Sequence, residues 1–331
     1  MDIRDWPLLD KEKLFEYLRW NSYRSERYTL FYVATPKVAC TSLKWWFANL
    51  EGHSRVLRGI TDSAETDPDL VIHDTFHRVA PSLTGLMPEA LSEALISDSY
   101  FRFAVVRNPY KRIFSAWQSK LLLQEPLQIG PYLKCDFVHR PIECADDIAA
   151  AFEDFLEHLA NIEAPSYWDV HWAPQATLLR PDLINYSKLV KIENATELSQ
   201  ALSERLGGYI PNPFANRRTN ESLIPYLAEF VTERSSELIR SLYAEDFETF
   251  RYAKQLPAST ETFSADQLDI AFKAIALIRG RHQRLGERNR QIANLHQAVG
   301  ERDGQIVSLR SEERRVGKSV DIGGRRIIKK K

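Results

Sequence analysis

No run of eighteen apolar residues occurs in the 331-residue chain, so no membrane-spanning helix is legible in it. The first twenty residues, MDIRDWPLLDKEKLFEYLRW, are charged and lack the apolar stretch of a signal peptide. Both absences point to a cytoplasmic protein. Cysteine is scarce, at three residues, and an odd count in a long chain gives no disulfide framework. Cys135 and Cys144 could pair in an oxidising compartment, but reduced thiols suit a cytosolic chain better. No CxxC pair, HExxH or other metal-ligand spacing occurs, so no metal is expected. Glycine is also scarce, at 13 residues, and none lies between Tyr32 and Phe47.

What is present is enough for a sizeable core: 44% of residues are hydrophobic and 11% aromatic. The net charge of −1 hides an asymmetry. From Arg279 to Lys331 the chain holds 15 Lys and Arg against 6 Asp and Glu, which leaves 29 against 39 before that point. The body is acidic and the tail basic. Composition places a globular domain over residues 1–255 and a linker over 256–270. A helical segment, readable as a coiled coil, follows over 271–310, and then a basic tail over 311–331. In the helical segment Ile278, Leu285, Ile292, Val299 and Ile306 recur every seven residues, and ERNRQIANL returns fourteen residues later as ERDGQIVSL. That heptad spacing suggests homo-oligomerisation through the helix, although Gly286, Gly300 and Gly304 weaken it. The tail resembles appended adaptor-encoded sequence. It has the charge for peripheral attachment at the inner membrane face; no nucleic-acid partner is expected.

The stretch YVATPKVACTSLKWWF has the outline of a phosphate loop without its glycines. YTLFYVATP has the β-branched and aromatic content of a buried strand. TSLKWWFANLEG reads as a helix with Thr41 or Ser42 as N-cap and Gly52 as its stop. The turn between them sets backbone N–H groups at a helix N-terminus, where anions bind. Lys37 adds a cation; Thr41 and Ser42 add hydroxyls. Glycine is needed only where φ is positive or the backbone approaches its ligand very closely. Val38, Ala39 and Cys40 are therefore expected to make a looser wrap around a terminal phosphate. Trp45 and Trp46 read as core.

A second stretch, FRFAVVRNPYKRIFSAW, is another buried strand followed by a helix, with Pro109 early in that helix where its missing N–H costs nothing. Arg107 stands at the strand's C-terminal end, where open α/β sheets bind ligands. Ser115 lies two helical turns on, and arginine and serine together can grip one phosphate.

TPKVACTSLK and FAVVRNPYKRIFSAW together resemble the donor-binding motifs of sulfotransferases that use 3′-phosphoadenosine-5′-phosphosulfate (PAPS), closest in wording to carbohydrate sulfotransferases of the chondroitin and dermatan type and their soluble bacterial relatives. DVHWAPQATLL, LVKIENATEL and LYAEDFETFRY resemble later segments of that group, in order, so the likeness spans about residues 28–252. It implies a single α/β domain with a P-loop-like fold: a central, mostly parallel sheet with helices on both faces. It implies in-line sulfuryl transfer from PAPS to a hydroxyl of a polysaccharide, oligosaccharide or glycolipid, without a metal. Lys37 would stabilise the leaving bisphosphate, the N–H groups of Val38, Ala39, Cys40, Thr41 and Ser42 would hold the 5′-phosphate, and Arg107 and Ser115 the 3′-phosphate.

The acceptor hydroxyl needs a base, for which His77 and His73 are the candidates. His77 is preferred because Asp74 follows His73 and could pair with it locally. His171, with Trp172 and Gln175, reads as acceptor-side lining or structure. Arg217 and Arg218 are weaker candidates for donor or acceptor contact. The acidic body favours a neutral or lightly charged sugar. Two other classes compete. A nucleotide-dependent kinase or NTPase of related α/β fold lacks its GxxxxGK[ST] here, and a non-catalytic coiled-coil scaffold leaves the motif residues unexplained.

Overall fold

The computed structural model describes residues 8–63, 65, 67–161, 169–208, 212–214, 222–259 and 261–328. Arg217 and Arg218 lie outside them. Among the described residues four strands form one sheet in the order β1 (Ser22–Ser25), β2 (Leu30–Val33), β3 (Phe101–Val106) and β4 (Lys188–Lys191). β1 pairs antiparallel with β2 across a short turn, whereas β2–β3 and β3–β4 are parallel. The sheet is therefore mixed, with three parallel strands and one antiparallel edge. The helices are α1 (Leu8–Asn21), α2 (Cys40–Leu50), α3 (Ser54–Arg58), α4 (Ile72–Val79), α5 (Pro88–Ile96), α6 (Pro109–Trp117), α7 (Ala145–Ala160), α8 (Gln175–Leu179), α9 (Ala195–Leu206), α10 (Glu233–Leu242), α11 (Ala244–Thr249) and α12 (Ala265–Ile328).

Strand alternation divides the core in two. Phe31, Val33, Ala104 and Val106 pack with residues of α1, α5, α6, α7 and α10. Leu30, Tyr32, Phe103, Val105 and Val190 pack with residues of α2, α4 and α9. Trp45 and Trp46 are buried in this second core, as read from the sequence. Both faces of the sheet are thus covered, and its functional groups gather at one end. β2 and β3 run in register, Val33 beside Ala104, so the turns after them emerge side by side.

The chain divides into two units, Met1–Gly280 and Arg281–Lys331. Part of the expected linker and the start of the expected appendix belong to the first unit. α12 begins at Ala265 rather than 271. Leu268, Ala271, Phe272 and Ile275, at helical spacing, join the first core. Arg279 extends this docking by donating to the carbonyls of Leu122 (2.6 Å) and Arg140 (2.7 Å). The helix runs unbroken through Gly286, Gly300 and Gly304, so these glycines lower its propensity without ending it. In the second unit Leu285, Ile292, Val299 and Ile306 are all exposed. Among the described residues no helix is long and apolar enough to cross a membrane, and Cys40, Cys135 and Cys144 are free thiols.

Candidate active site

The turn after β2 answers the question of the missing glycines, and not as the sequence reading supposed. Lys37 (φ 66°) and Ala39 (φ 52°) both adopt the left-handed conformation usually left to glycine. They flank Val38, which is buried and anchors the turn in the core. Left-handed residues placed this way turn backbone N–H groups toward one concavity. α2 starts at Cys40, with Ala39 rather than Thr41 or Ser42 in the cap position and no side chain capping it. Thr41 is not the cap: its hydroxyl is engaged by His73 at 2.9 Å. Among the described residues no side chain accepts from the first N–H groups of α2, where Lys37–Ser42 line a cleft of about 1340 Å³. Gly52 takes positive φ just past the helix end, as expected.

Cations converge on this turn. Arg107, at the end of β3, donates from Nη1 to the Lys37 carbonyl at 3.2 Å. Pro109 opens α6, and Asn108 caps it by accepting from the Tyr110 N–H at 3.0 Å. Ser115 faces the same cleft, 3.3 Å from the Ser222 hydroxyl. After Trp117 the helix widens into a π-turn, Gln118–Leu122, a feature frequent at functional sites. It carries Ser119, which accepts a 2.6 Å hydrogen bond from Lys37 Nζ, and Lys120, which lines the cleft. Burial, then Lys120 and Arg107, pull the Lys37 ammonium down to about 7.

Four groups hold this arrangement; the sequence reading named Gln175 among them, as acceptor-side lining or structure, and missed Asp246, Glu193 and Arg112. Gln175 accepts from the Arg107 N–H and donates to its carbonyl, both at 2.9 Å. Asp246, fully buried, accepts from the N–H groups of Gln175 (2.9 Å) and Ala176 (2.7 Å) and so caps α8. Glu193 accepts from the Asn108 N–H at 3.1 Å and from the Tyr252 hydroxyl at 3.0 Å. Arg112, also buried, donates to the carbonyls of Pro36 (3.1 Å), Ala173 (2.7 Å) and Val170 (3.2 Å). The three later segments that the sequence reading could only place in order thus meet behind one turn.

The histidines differ in their surroundings. His73 is bound at both ring nitrogens, Nε2 to Thr41 Oγ1 and Nδ1 to Lys44 Nζ at 2.8 Å. Lys44 can only donate, so Nδ1 accepts and Nε2 carries the hydrogen. Burial, then Lys44, Lys120 and Lys37, hold the His73 imidazolium well below its ordinary range. Asp74 does not pair with it; Asp74 accepts from the Ser63 hydroxyl instead. His77 lines the cleft and packs edge-on against Trp20, with ring centroids 5.3 Å apart. His171 lines the cleft too, with Nδ1 2.5 Å from the Asp169 carboxylate.

This is an α/β protein whose parallel strand ends present a lysine-bearing turn and an arginine to one cleft. The chain belongs to the sulfotransferase family, whose model matches residues 20–253. It is similar to carbohydrate sulfotransferase 10 of Danio rerio (23% identical, covering 69% of this chain and 65% of the relative) and of Xenopus laevis (25%, covering 69% and 66%). It is also similar to carbohydrate sulfotransferase 14 of Homo sapiens, 29% identical over 49% of this chain and 40% of the relative. The chain thus spans about two thirds or less of these relatives' lengths. No solved structure matches it.

The left-handed turn makes a specific prediction. Ala39→Gly should leave stability unchanged or raise it by up to ~1 kcal/mol, because relief of left-handed strain outweighs the added unfolded-state entropy. Ala39→Val, β-branched at the same φ, should cost about 1–3 kcal/mol. Urea unfolding of the full chain measures both; equal stability of the three proteins would contradict the assignment.

Proposed function

We propose that this protein transfers the sulfuryl group of PAPS to a hydroxyl of a carbohydrate. Family membership supports sulfuryl transfer, and the names of the similar proteins support a carbohydrate acceptor. The observation that carries the donor assignment is the convergence of Lys37, Arg107 and Lys120 on a helix start without a side-chain cap. These groups suit a phosphosulfate at the loop and a second phosphate near Arg107 and Ser115. On this reading the N–H groups of Val38 to Ser42 hold the 5′-phosphate, and Lys37 neutralises charge on the oxygen that leaves with it. Ser119, now bonded to Lys37, is the partner from which the ammonium would turn. The donor's anionic groups also reverse the field of Lys120 and Arg107 at Lys37. Donor binding should therefore raise the Lys37 pKa from about 7 and take up a proton.

Calorimetric titration of the full chain with adenosine 3′,5′-bisphosphate tests this reading. Binding should be micromolar and roughly tenfold to a hundredfold tighter than for AMP, and Arg107→Ala should remove the preference. Near pH 8, buffers of different ionisation enthalpy should reveal proton uptake, and affinity should fall as pH rises above 7, because neutral Lys37 binds the anion less well. Equal affinity for AMP, or tighter binding of ATP with magnesium, would favour the kinase or NTPase reading instead.

Self-association through the C-terminal unit is a separate proposal. Leu285, Ile292, Val299 and Ile306 are exposed at seven-residue spacing, the pattern that a second identical helix would bury. Sedimentation velocity should find the full chain dimeric and a chain ending at Gly280 monomeric. A monomeric full chain would refute it.

A further inference from the structure

Sulfuryl transfer to a sugar hydroxyl leaves one proton to be placed. The acceptor O–H bond breaks, its oxygen forms the new O–S bond, and the S–O bond to the 5′-phosphate breaks with its electron pair on the phosphate oxygen. The proton needs a lone pair inside the cleft, held in a fixed direction. Three histidines line that cleft, and their hydrogen bonds separate them.

The pair at His73 has no lone pair to offer: Nδ1 is occupied by Lys44 and Nε2 carries the hydrogen donated to Thr41. Its geometry suits a positioning residue for the α2 start. His77 packs against the Trp20 ring, and among the described residues no carboxylate hydrogen-bonds to it. His171 differs from both. Asp169 accepts from its Nδ1–H at 2.5 Å and from its backbone N–H at 2.8 Å, so ring and backbone are fixed by one carboxylate. This tautomer leaves the lone pair on Nε2, which has no partner among the described residues. A carboxylate behind one nitrogen and a lone pair on the other is the arrangement of an oriented general base. The side chain is 19% exposed, so an acceptor can reach it.

His171 is also in register with the donor loop. Arg112 donates to the carbonyls of Val170 and Ala173, on either side of His171, and to that of Pro36, just before Lys37. One buried guanidinium therefore sets the distance between the proposed 5′-phosphosulfate loop and this imidazole.

We propose that His171 is the catalytic base of the transfer, oriented by Asp169, and that His73 positions Thr41 and Lys44 rather than taking the proton. The proposal rests on the donor reading above. The groups that face His171 are Asp169 on its own loop, Lys120 on the π-turn, Lys37 on the donor loop and His73 on α4, with Tyr132 beside Asp169. Burial lowers the His171 pKa to about 4; Asp169 pulls it up, and Lys120 and Lys37 push it down. Anionic donor groups beside those lysines oppose their effect, so the base gains strength when the donor is seated.

Three measurements on the full-length protein separate the outcomes. The first is the affinity for adenosine 3′,5′-bisphosphate, expected to change less than about threefold in His171→Ala and His171→Gln. The second is NMR titration of the histidine rings, in which the His171 resonance should titrate at higher pH once the bisphosphate is bound. The third is sulfate transfer from 35S-labelled PAPS to unsulfated chondroitin, or to water if chondroitin is not accepted. His171→Ala and His171→Gln should both lose about 100-fold or more in kcat, with partial rescue of His171→Ala by added imidazole. Asp169→Asn should lose less and shift the acid limb of the pH profile. Wild-type transfer rates in either His171 variant, with bisphosphate binding intact, would overturn the assignment and leave the donor reading standing. Parallel loss of binding and transfer in both would make His171 structural and also overturn it. No bisphosphate binding by the wild type would sink the donor reading and the base together.

Discussion

Arg112 donates to three backbone carbonyls from a fully enclosed position, at Pro36, Ala173 and Val170, and the cleft depends on that clamp. Pro36 opens the left-handed turn; Val170 and Ala173 bracket His171. Strand register alone brings the turn after β2 beside the turn after β3. It does not fix residues 169–174, just before α8, which form no strand. The guanidinium fixes that segment by hydrogen bonds to carbonyls. Burying a charge in this way is favourable only when its donors are satisfied. The nearby Asp246 carboxylate adds an opposite charge and caps α8 at the same time. Replacing Arg112 with lysine would keep the charge and lose the fork that reaches two segments at once.

The cleft is organised around repulsion as much as attraction. Burial, then Lys120 and Arg107, depress the Lys37 pKa, and burial, then Lys44 and Lys120, help to hold His73 neutral. Such a field costs stability in the free protein and, on the proposed reading, favours a polyanionic ligand. On the proposed reading the donor supplies the missing charge of opposite sign, and proton uptake at Lys37 and a stronger base at His171 follow from the same electrostatic change. The backbone contributes through Lys37 and Ala39, whose left-handed conformations store strain at the turn that the proposed reading assigns to the donor's 5′-phosphate.

Much of this was legible in the sequence because it is local. The apolar runs around Tyr32 and Phe103 marked the two central strands, and Arg107 and Ser115 declared themselves by position on a strand end and a helix. The second core was foreshadowed by the aromatic density of the Trp45–Phe47 stretch. What escaped was set by tertiary structure. Nothing local says that Ala39 takes positive φ, since alanine does so only when its surroundings compel it. Gln175, Glu193 and Asp246 sat in segments that could be placed in order, but their convergence on Arg107 and Asn108 needs the folded chain. The short spacing of Asp169 and His171 was a usable signal for a hydrogen-bonded pair, whereas the expected pairing of His73 with Asp74 is replaced by bonds from His73 to Thr41 and Lys44. The helical appendix was seen through its heptads, whereas the docking of Ala271 and Ile275 into the core blurred its boundary.

The central claim is that a glycine-free, left-handed turn and the strand-end arginine together hold the two phosphate ends of one donor. A crystal structure of the full chain with adenosine 3′,5′-bisphosphate tests it most directly. The account predicts the 5′-phosphate on the N–H groups of Val38 to Ser42 with Lys37 turned toward it, and the 3′-phosphate between Arg107 and Ser115. A nucleotide bound with its 3′-phosphate away from Arg107, or outside this cleft, would contradict it.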